Sequence, residues 1–233
     1  RDFCLSRGLG DVYKRQHMEY IFVDFEMNQI DNSHPDELKI CKNEIIEIGA
    51  VKLDDTYKEI DSFKTYVKPG ITPVTSRITN LTGITNEMVD DAPDFAIAMD
   101  RFIAWGLSAD VIYAWSENDL RQFNRERKLK SYNNPDAQKL ASKWKDFQKE
   151  FARMLGTRRR LALSDAVFYL GEDFQGKEHD ALWDARNTAE VFVLSKNREK
   201  FEKIMAPIMN AYKPKENMTY SIGDVFGNIN LPE

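Results

Sequence analysis

The 233-residue sequence is poor in cysteine, in histidine and in long apolar runs, and it has no surplus of positive charge. Its two cysteines, Cys4 and Cys41, share no motif spacing, so they give no disulfide pattern and fit reduced thiols in a cytoplasmic protein. No apolar stretch approaches the roughly 20 residues that a membrane-spanning helix needs. Arg1 to His17 contains basic residues but no apolar core segment, which argues against a signal peptide. The 33 Lys and Arg against 38 Asp and Glu leave a net charge of −5. Such a balance argues against coating nucleic acid through an overall field, but leaves room for an enzyme that meets it through metals and a local groove. What is present, 42% hydrophobic residues, is enough for one substantial core and one domain.

Residues 1–17 show neither helical nor strand periodicity and are expected to be a non-native or disordered extension ahead of the folded unit, residues 18–212. Tyr20-Ile21-Phe22-Val23-Asp24-Phe25-Glu26 reads as a buried first strand. Residues 31–43 read as a loop. Glu44 to Leu53 and Tyr57 to Val67 read as two further strands of an antiparallel meander, separated by the turn signal Asp54-Asp55. Helical turns are expected over Ser76–Leu81 and Asn86–Val89. A longer helix is expected to open at Ala92-Pro93, with Phe95, Met99, Phe102 and Ile103 as its buried stripe. Val111 to Trp115 is a fourth strand followed by a helix from about Ser116. Residues 130–140 read as loop or frayed helix, and Lys143 to Asp146 as an edge strand before another helix. Helices are expected over Leu163–Leu170, His179–Ser195 and Arg198–Tyr212, with Pro207 kinking or breaking the last. Residues 213–233 are expected to form a C-terminal tail. The order predicts an α/β fold: a mixed five-stranded sheet, meander plus parallel strands, flanked by helices.

Chemistry enters with the first strand. Strand alternation places Asp24 and Glu26 on one side, and two buried anions side by side are costly unless a cation lies between them. Asp119 stands where the fourth strand gives way to a helix, a place where α/β folds collect ligands. Its plainer explanation is a capping box with Ser116 as N-cap. His179 and Asp184 share a site only if His179 lies just ahead of the helix, with Asp180 as its N-cap. Within one helix, five residues of separation turn side chains about 140° apart. The small residues Ala181, Ala185 and Ala189 let that helix lie close to the sheet. The triplet Arg158-Arg159-Arg160 reads as a solvated loop rather than a phosphate contact.

Taken together, Asp-x-Glu on a first strand, Asp after a later strand and His-x4-Asp at a late helix start resemble the DEDDh family of 3′–5′ exonucleases, which have the ribonuclease H-like fold. The blocks Glu44 to Leu53, Phe63 to Pro69 and Leu81 to Thr85 are similar to the family's intervening segments. Trp144 to Phe147 and Gly176 to Ala189 are most similar to the branch of histone-messenger and RNA-interference-related exonucleases. The sequence departs from the commoner pattern at Met27-Asn28, where many relatives carry Thr two residues after the Glu. The resemblance implies catalytic Asp24, Glu26, Asp119, His179 and Asp184. The four acids would be ligands of two Mg²⁺ or Mn²⁺ ions, in keeping with oxygen-only donors. His179 is implied as general base, a role its free-state pKa of roughly 6.5 suits. Met27 and Ile84 are implied to pack on the terminal base, and Asn28 to bond its sugar. The implied substrate is a single-stranded 3′ end, RNA over DNA, and the implied products are nucleoside 5′-monophosphates. The alternative, a non-catalytic nucleic-acid-binding domain of the same fold, predicts loss of at least one carboxylate, and none is missing.

Overall fold

In the computed structural model, which describes residues 18–212, the sheet is built outward from the strand that carries Asp24 and Glu26. The expected extension (1–17) and tail (213–233) lie outside the described residues. This strand, β1 (Tyr20–Gln29), pairs antiparallel with β2 (Asn43–Leu53), which pairs antiparallel with β3 (Glu59–Tyr66). On its other side β1 runs parallel to β4 (Val111–Ala114), which runs parallel to β5 (Trp144–Asp146). The order β3-β2-β1-β4-β5 is the mixed five-stranded sheet expected from the sequence, with β1 at its centre.

The remaining elements are helical: α1 (Pro35–Leu38), α2 (Ser76–Thr82), α3 (Asn86–Asp90), α4 (Phe95–Gly106), α5 (Asn118–Leu129), α6 (Ala137–Ser142), α7 (Phe147–Met154), α8 (Leu163–Tyr169), α9 (Ala181–Lys196) and α10 (Arg198–Tyr212). Several differ from the sequence expectation for local reasons. The third strand starts at Glu59 rather than Tyr57, because Asp54 accepts from the amides of Thr56 and Lys58 and the turn puts Tyr57 at φ 64°. The helix expected to open at Ala92-Pro93 starts at Phe95, where Asp94 caps the amide of Ile97 at 2.9 Å. The stretch 31–43, read as loop, contains the short helix α1, and 130–140, read as loop or frayed helix, leads into the short helix α6. The last helix continues through Pro207 instead of breaking there.

Alternation along β1 sorts the core into two halves. Ile21, Val23 and Phe25 pack with Phe95, Met99 and Phe102 of α4, Phe123 of α5 and Trp144 of β5. Phe22, on the opposite face, packs with Val51, Tyr113, Phe147, Phe201 and Phe192 of α9. Alternation carries Asp24 and Glu26 onto this second face. Phe192 holds that half together: its ring centroid lies 5.0–5.7 Å from those of Phe22, Tyr113, Phe147, Tyr20 and Tyr57. Phe192→Ala would leave a cavity under α9. It is expected to cost about 3–5 kcal/mol in urea unfolding, as burial of a whole ring predicts.

Candidate active site

The second face of the sheet ends in a cleft of about 490 Å³ whose lining includes Asp24, Glu26, Met27, Asp119, His179 and Asp184. All five residues of the sequence pattern therefore meet, although they come from β1, the first turn of α5 and the approach to α9. Glu26, His179 and Asp184 offer ligand atoms within 4.8 Å of one another.

Each side chain is positioned by identifiable local structure. The expected capping box at Ser116 does not form. The helix begins two residues later, Ser116 Oγ accepts from the amide of Asn118, and Glu117 occupies the cap position. Asp119 is thereby released, and its Oδ1 accepts from the backbone N–H of Phe25 at 3.2 Å, tying α5 to β1 between Asp24 and Glu26. Asp180 is the N-cap of α9 as expected, accepting from Leu182 and Trp183. His179 therefore sits just outside the helix, at φ 63°, and its N–H donates to Asp184 Oδ2 at 3.1 Å. The helix comes close to the sheet over buried Ala181, Ala185 and Ala189, as the sequence suggested. Gly49 of β2 completes the fit, since a Cβ there would run into the backbone of Ala181 and Leu182.

The electrostatics are one-sided. Burial and then the neighbouring Asp119, Glu26 and Asp184 push the Asp24 carboxyl well above the usual carboxylate range. Burial also raises Glu26 to about 8, with Asp184 and Glu47 adding to it. Asp119 and Asp184 are raised to about 7, again by burial first, and the N–H groups of Phe25 and His179 work against the shift. Among the described residues no lysine or arginine forms an ion pair with any of these four acids. The nearby Lys64 is engaged by Glu47 and Asp180 instead. A set of oxygen donors held together without a protein cation fits a hard divalent metal, whose positive charge would favour the ionised carboxylates and oppose the shifts.

Two of the three residues expected to touch substrate are placed otherwise. Asn28 is fully buried, donating to the carbonyls of Thr72 and Pro73 at 2.8 and 3.2 Å and accepting from the amide of Thr75 at 3.3 Å. A register shift between Glu26 and Met27 interrupts the alternation just before it. Its amide is spent on holding the 72–75 segment and is not offered to a sugar. Ile84 is buried in a satellite cluster with Ile46, Val74 and Val89, which corrects its place as a base-stacking residue. Met27 alone of the three lines the cleft. Sequence reasoning missed the other walls, Trp115, Leu163 and Phe174. It also missed Glu47 and Lys64 beneath α9. The one signal for Glu47 was a lone acid inside the apolar run Ile45-Ile46-Glu47-Ile48.

Comparison with known proteins places this geometry. A family model described as Exonuclease matches residues 21–192, spanning both β1 and α9. The chain belongs to this exonuclease family. It is 32% identical over 213 residues to ERI1 exoribonuclease 2 of Xenopus laevis, and 33% identical over 193 residues to the DNA polymerase III PolC-type protein of Caldanaerobacter subterraneus subsp. tengcongensis. Each match takes in 80% of this chain, but only 30% and 12% of the respective relative's length. Among solved structures it is similar to the nuclease domain of 3′hExo, a DEDDh family member bound to rAMP. That match has TM-score 0.67 at 25% identity and covers 81% of this chain and 95% of the other. The DEDDh exonuclease membership drawn from the five-residue pattern stands, as does the ribonuclease H-like fold class.

The cluster of acids makes stability depend on pH in a definite sense. Its acids bind protons more tightly folded than unfolded. Between the ordinary carboxylate range near pH 4 and the raised values of about 7 to about 8, the folded state therefore holds more protons. Metal-free protein is expected to lose thermal stability as pH rises through that window. Divalent metal is expected to restore it most at the alkaline end. Melting curves in EDTA and in excess Mg²⁺ from pH 5 to 8.5 check this; a metal-free Tm that rises with pH would contradict it.

Proposed function

We propose that residues 18–212 form one domain that hydrolyses single-stranded nucleic acid from its 3′ end, RNA in preference to DNA, and releases nucleoside 5′-monophosphates in the cytoplasm. The observation that carries this reading is the convergence of Asp24, Glu26, Asp119, His179 and Asp184 on one cleft. The RNA preference is supported by an exoribonuclease among the relatives and by rAMP in the 3′hExo nuclease domain.

Asp24, Glu26, Asp119 and Asp184 would hold two Mg²⁺ or Mn²⁺ ions, which supply an activated water and neutralise charge on the leaving 3′ oxygen. Asp24 would be the carboxylate central to holding them, with Glu26 and Asp184 contributing on the side of the attacking water and Asp119 on the side of the leaving oxygen. His179 is exposed at the mouth of the cleft, where its imidazole can take the proton of the attacking water and pass it to solvent. As the water oxygen bonds to phosphorus, the bond from phosphorus to the 3′ oxygen breaks and the terminal nucleotide leaves with its 5′-phosphate. Met27 gives the terminal base an apolar wall. The walls formed by Trp115, Leu163 and Phe174 limit what can enter beside it.

Matched RNA and DNA oligonucleotides, labelled at either end, test this directly. With Mg²⁺, 3′-label is expected to appear at once as mononucleotide while 5′-label shortens stepwise, faster on RNA, and EDTA stops both. Cleavage of a circular single strand would instead indicate an endonuclease. Binding of RNA with no hydrolysis in either metal would favour a non-catalytic binding domain. Asp24→Ala is expected to reduce hydrolysis to background. His179→Ala is expected to slow it by about 10²- to 10⁴-fold, the usual worth of a general base, while retaining Mn²⁺ binding by calorimetry.

A further inference from the structure

Glu47 poses a problem that the metal site alone does not answer. It faces Glu26 directly across the β1–β2 ladder, and like charges in that position destabilise a sheet. It is also 1% exposed, so water does not relieve the repulsion. Its hydrogen bonds and ion pair show what it does there. One oxygen, Oε2, accepts from the backbone N–H of Ala181 at 3.0 Å, the first residue of α9. The other, Oε1, lies 3.1 Å from Lys64 Nζ, and the same Nζ lies 2.6 Å from Asp180 Oδ2. Asp180 in turn caps Leu182 and Trp183 through its Oδ1.

The start of α9 is thus fastened to the sheet at two adjacent points by one connected group, Glu47 on β2, Lys64 on β3 and Asp180 at the cap. The residue directly before that fastening is His179, which holds a left-handed backbone conformation uncommon for a side chain with a Cβ. Such a conformation persists only where its surroundings over-determine it. Asp184 holds it from one side through the His179 N–H, and the Asp180 fastening holds it from the other. Gly49 lets the helix come down far enough for Glu47 to reach Ala181.

We propose that Glu47 is a positioning residue of the hydrolytic site: acting with Lys64 on the first turn of α9, it sets where His179 and Asp184 stand relative to Asp24 and Glu26. The proposal rests on the hydrolytic reading above, and it extends the site to a residue that touches neither substrate nor metal. Glu47→Gln is the informative change, because it keeps the size of the side chain and removes the charge that holds Lys64. Lys64→Met removes the same link from a partly exposed position.

Both variants are expected to lower kcat by about 10- to 100-fold, the usual worth of a group that orients ligands from behind. KM should stay within about two-fold, since substrate binding is not what the turn controls. In metal-free protein, amide exchange over residues 179–184 is expected to quicken by about 10-fold while the β2 amides of Ile46 and Val51 keep their protection. Adding His179→Ala to Glu47→Gln is expected to cost less than the product of the two single losses, because both act through the same turn. Wild-type kcat with wild-type exchange over 179–184 would overturn the proposal. So would faster exchange spread evenly along β2, or single losses that multiply in full. If the wild-type protein hydrolyses no oligonucleotide, the function proposed above fails, and the exchange measurement still decides whether Glu47 positions the turn.

Discussion

The constraint on which the rest depends is repulsion among acids in a small cleft. Burial is the largest cause that raises the proton affinity of Asp24, Glu26, Asp119 and Asp184, and neighbouring acids add to it for each. A fold that brings them together gives up stability in the metal-free state at neutral pH and above, and must make up the loss elsewhere. Functional sites are where such local conflicts are retained. The compensation is visible in the layout. The face of β1 that bears the carboxylates also bears Phe22, within the aromatic cluster around Phe192. The helix that supplies Asp184 is therefore held down by its apolar half a few turns beyond its charged end.

At the charged end, the fold answers the acids with backbone N–H groups rather than with side-chain cations. Phe25 donates to Asp119, His179 to Asp184, and Ala181 to Glu47. The choice has a physical consequence. A lysine among the four acids would compete with a divalent ion for the same oxygens, whereas an N–H fixes one lone pair and leaves others available. Lys64, which lies close by, is engaged by Glu47 and Asp180. The positive end of α9 works in the same sense, since partial charges at a helix N-terminus favour acids without occupying the space between them.

How much of this was legible in the sequence follows from the range of each interaction. The central strand could be read because its apolar run and its two acids obey a period that depends on the chain alone. The Asp180 cap could be read because a cap is a contact across two or three residues. The five-residue pattern was legible as a whole although each member had an ordinary explanation. In one of them, the capping box at Ser116, the local rule gave the wrong answer, because the Phe25 N–H offered Asp119 a partner on another element. Asn28 and Ile84 failed for a related reason. Both are set by the packing of residues 72–89 against the sheet, and nothing in their immediate neighbours reveals it. Glu47 and Lys64 belong to β2 and β3, and their importance depends on a helix more than a hundred residues later. Only the anomaly of an acid in an apolar strand pointed to Glu47, and no signal pointed to Lys64.

That anomaly bears on how such a site can be rigid and one-sided in charge at once. If α9 were held only by its aromatic face, its first turn would be the end of a lever, free to move away from the acids on β1 as repulsion grows. Fastening the turn with another acid adds a charge, yet Glu47 reaches the helix through a backbone N–H and is paired with Lys64. Lys64 thus offsets part of the added charge, although Glu47 still adds to the raised proton affinity of Glu26 and Asp184. The four acids of the cleft have no ion pair of their own among the described residues. Rigidity comes from an ion pair outside the lining of the cleft, and the demand for a metal comes from the carboxylates that line it. Separating the two lets the turn be held in position before any cation arrives, which is the condition for the geometry, rather than the metal, to set where His179 stands.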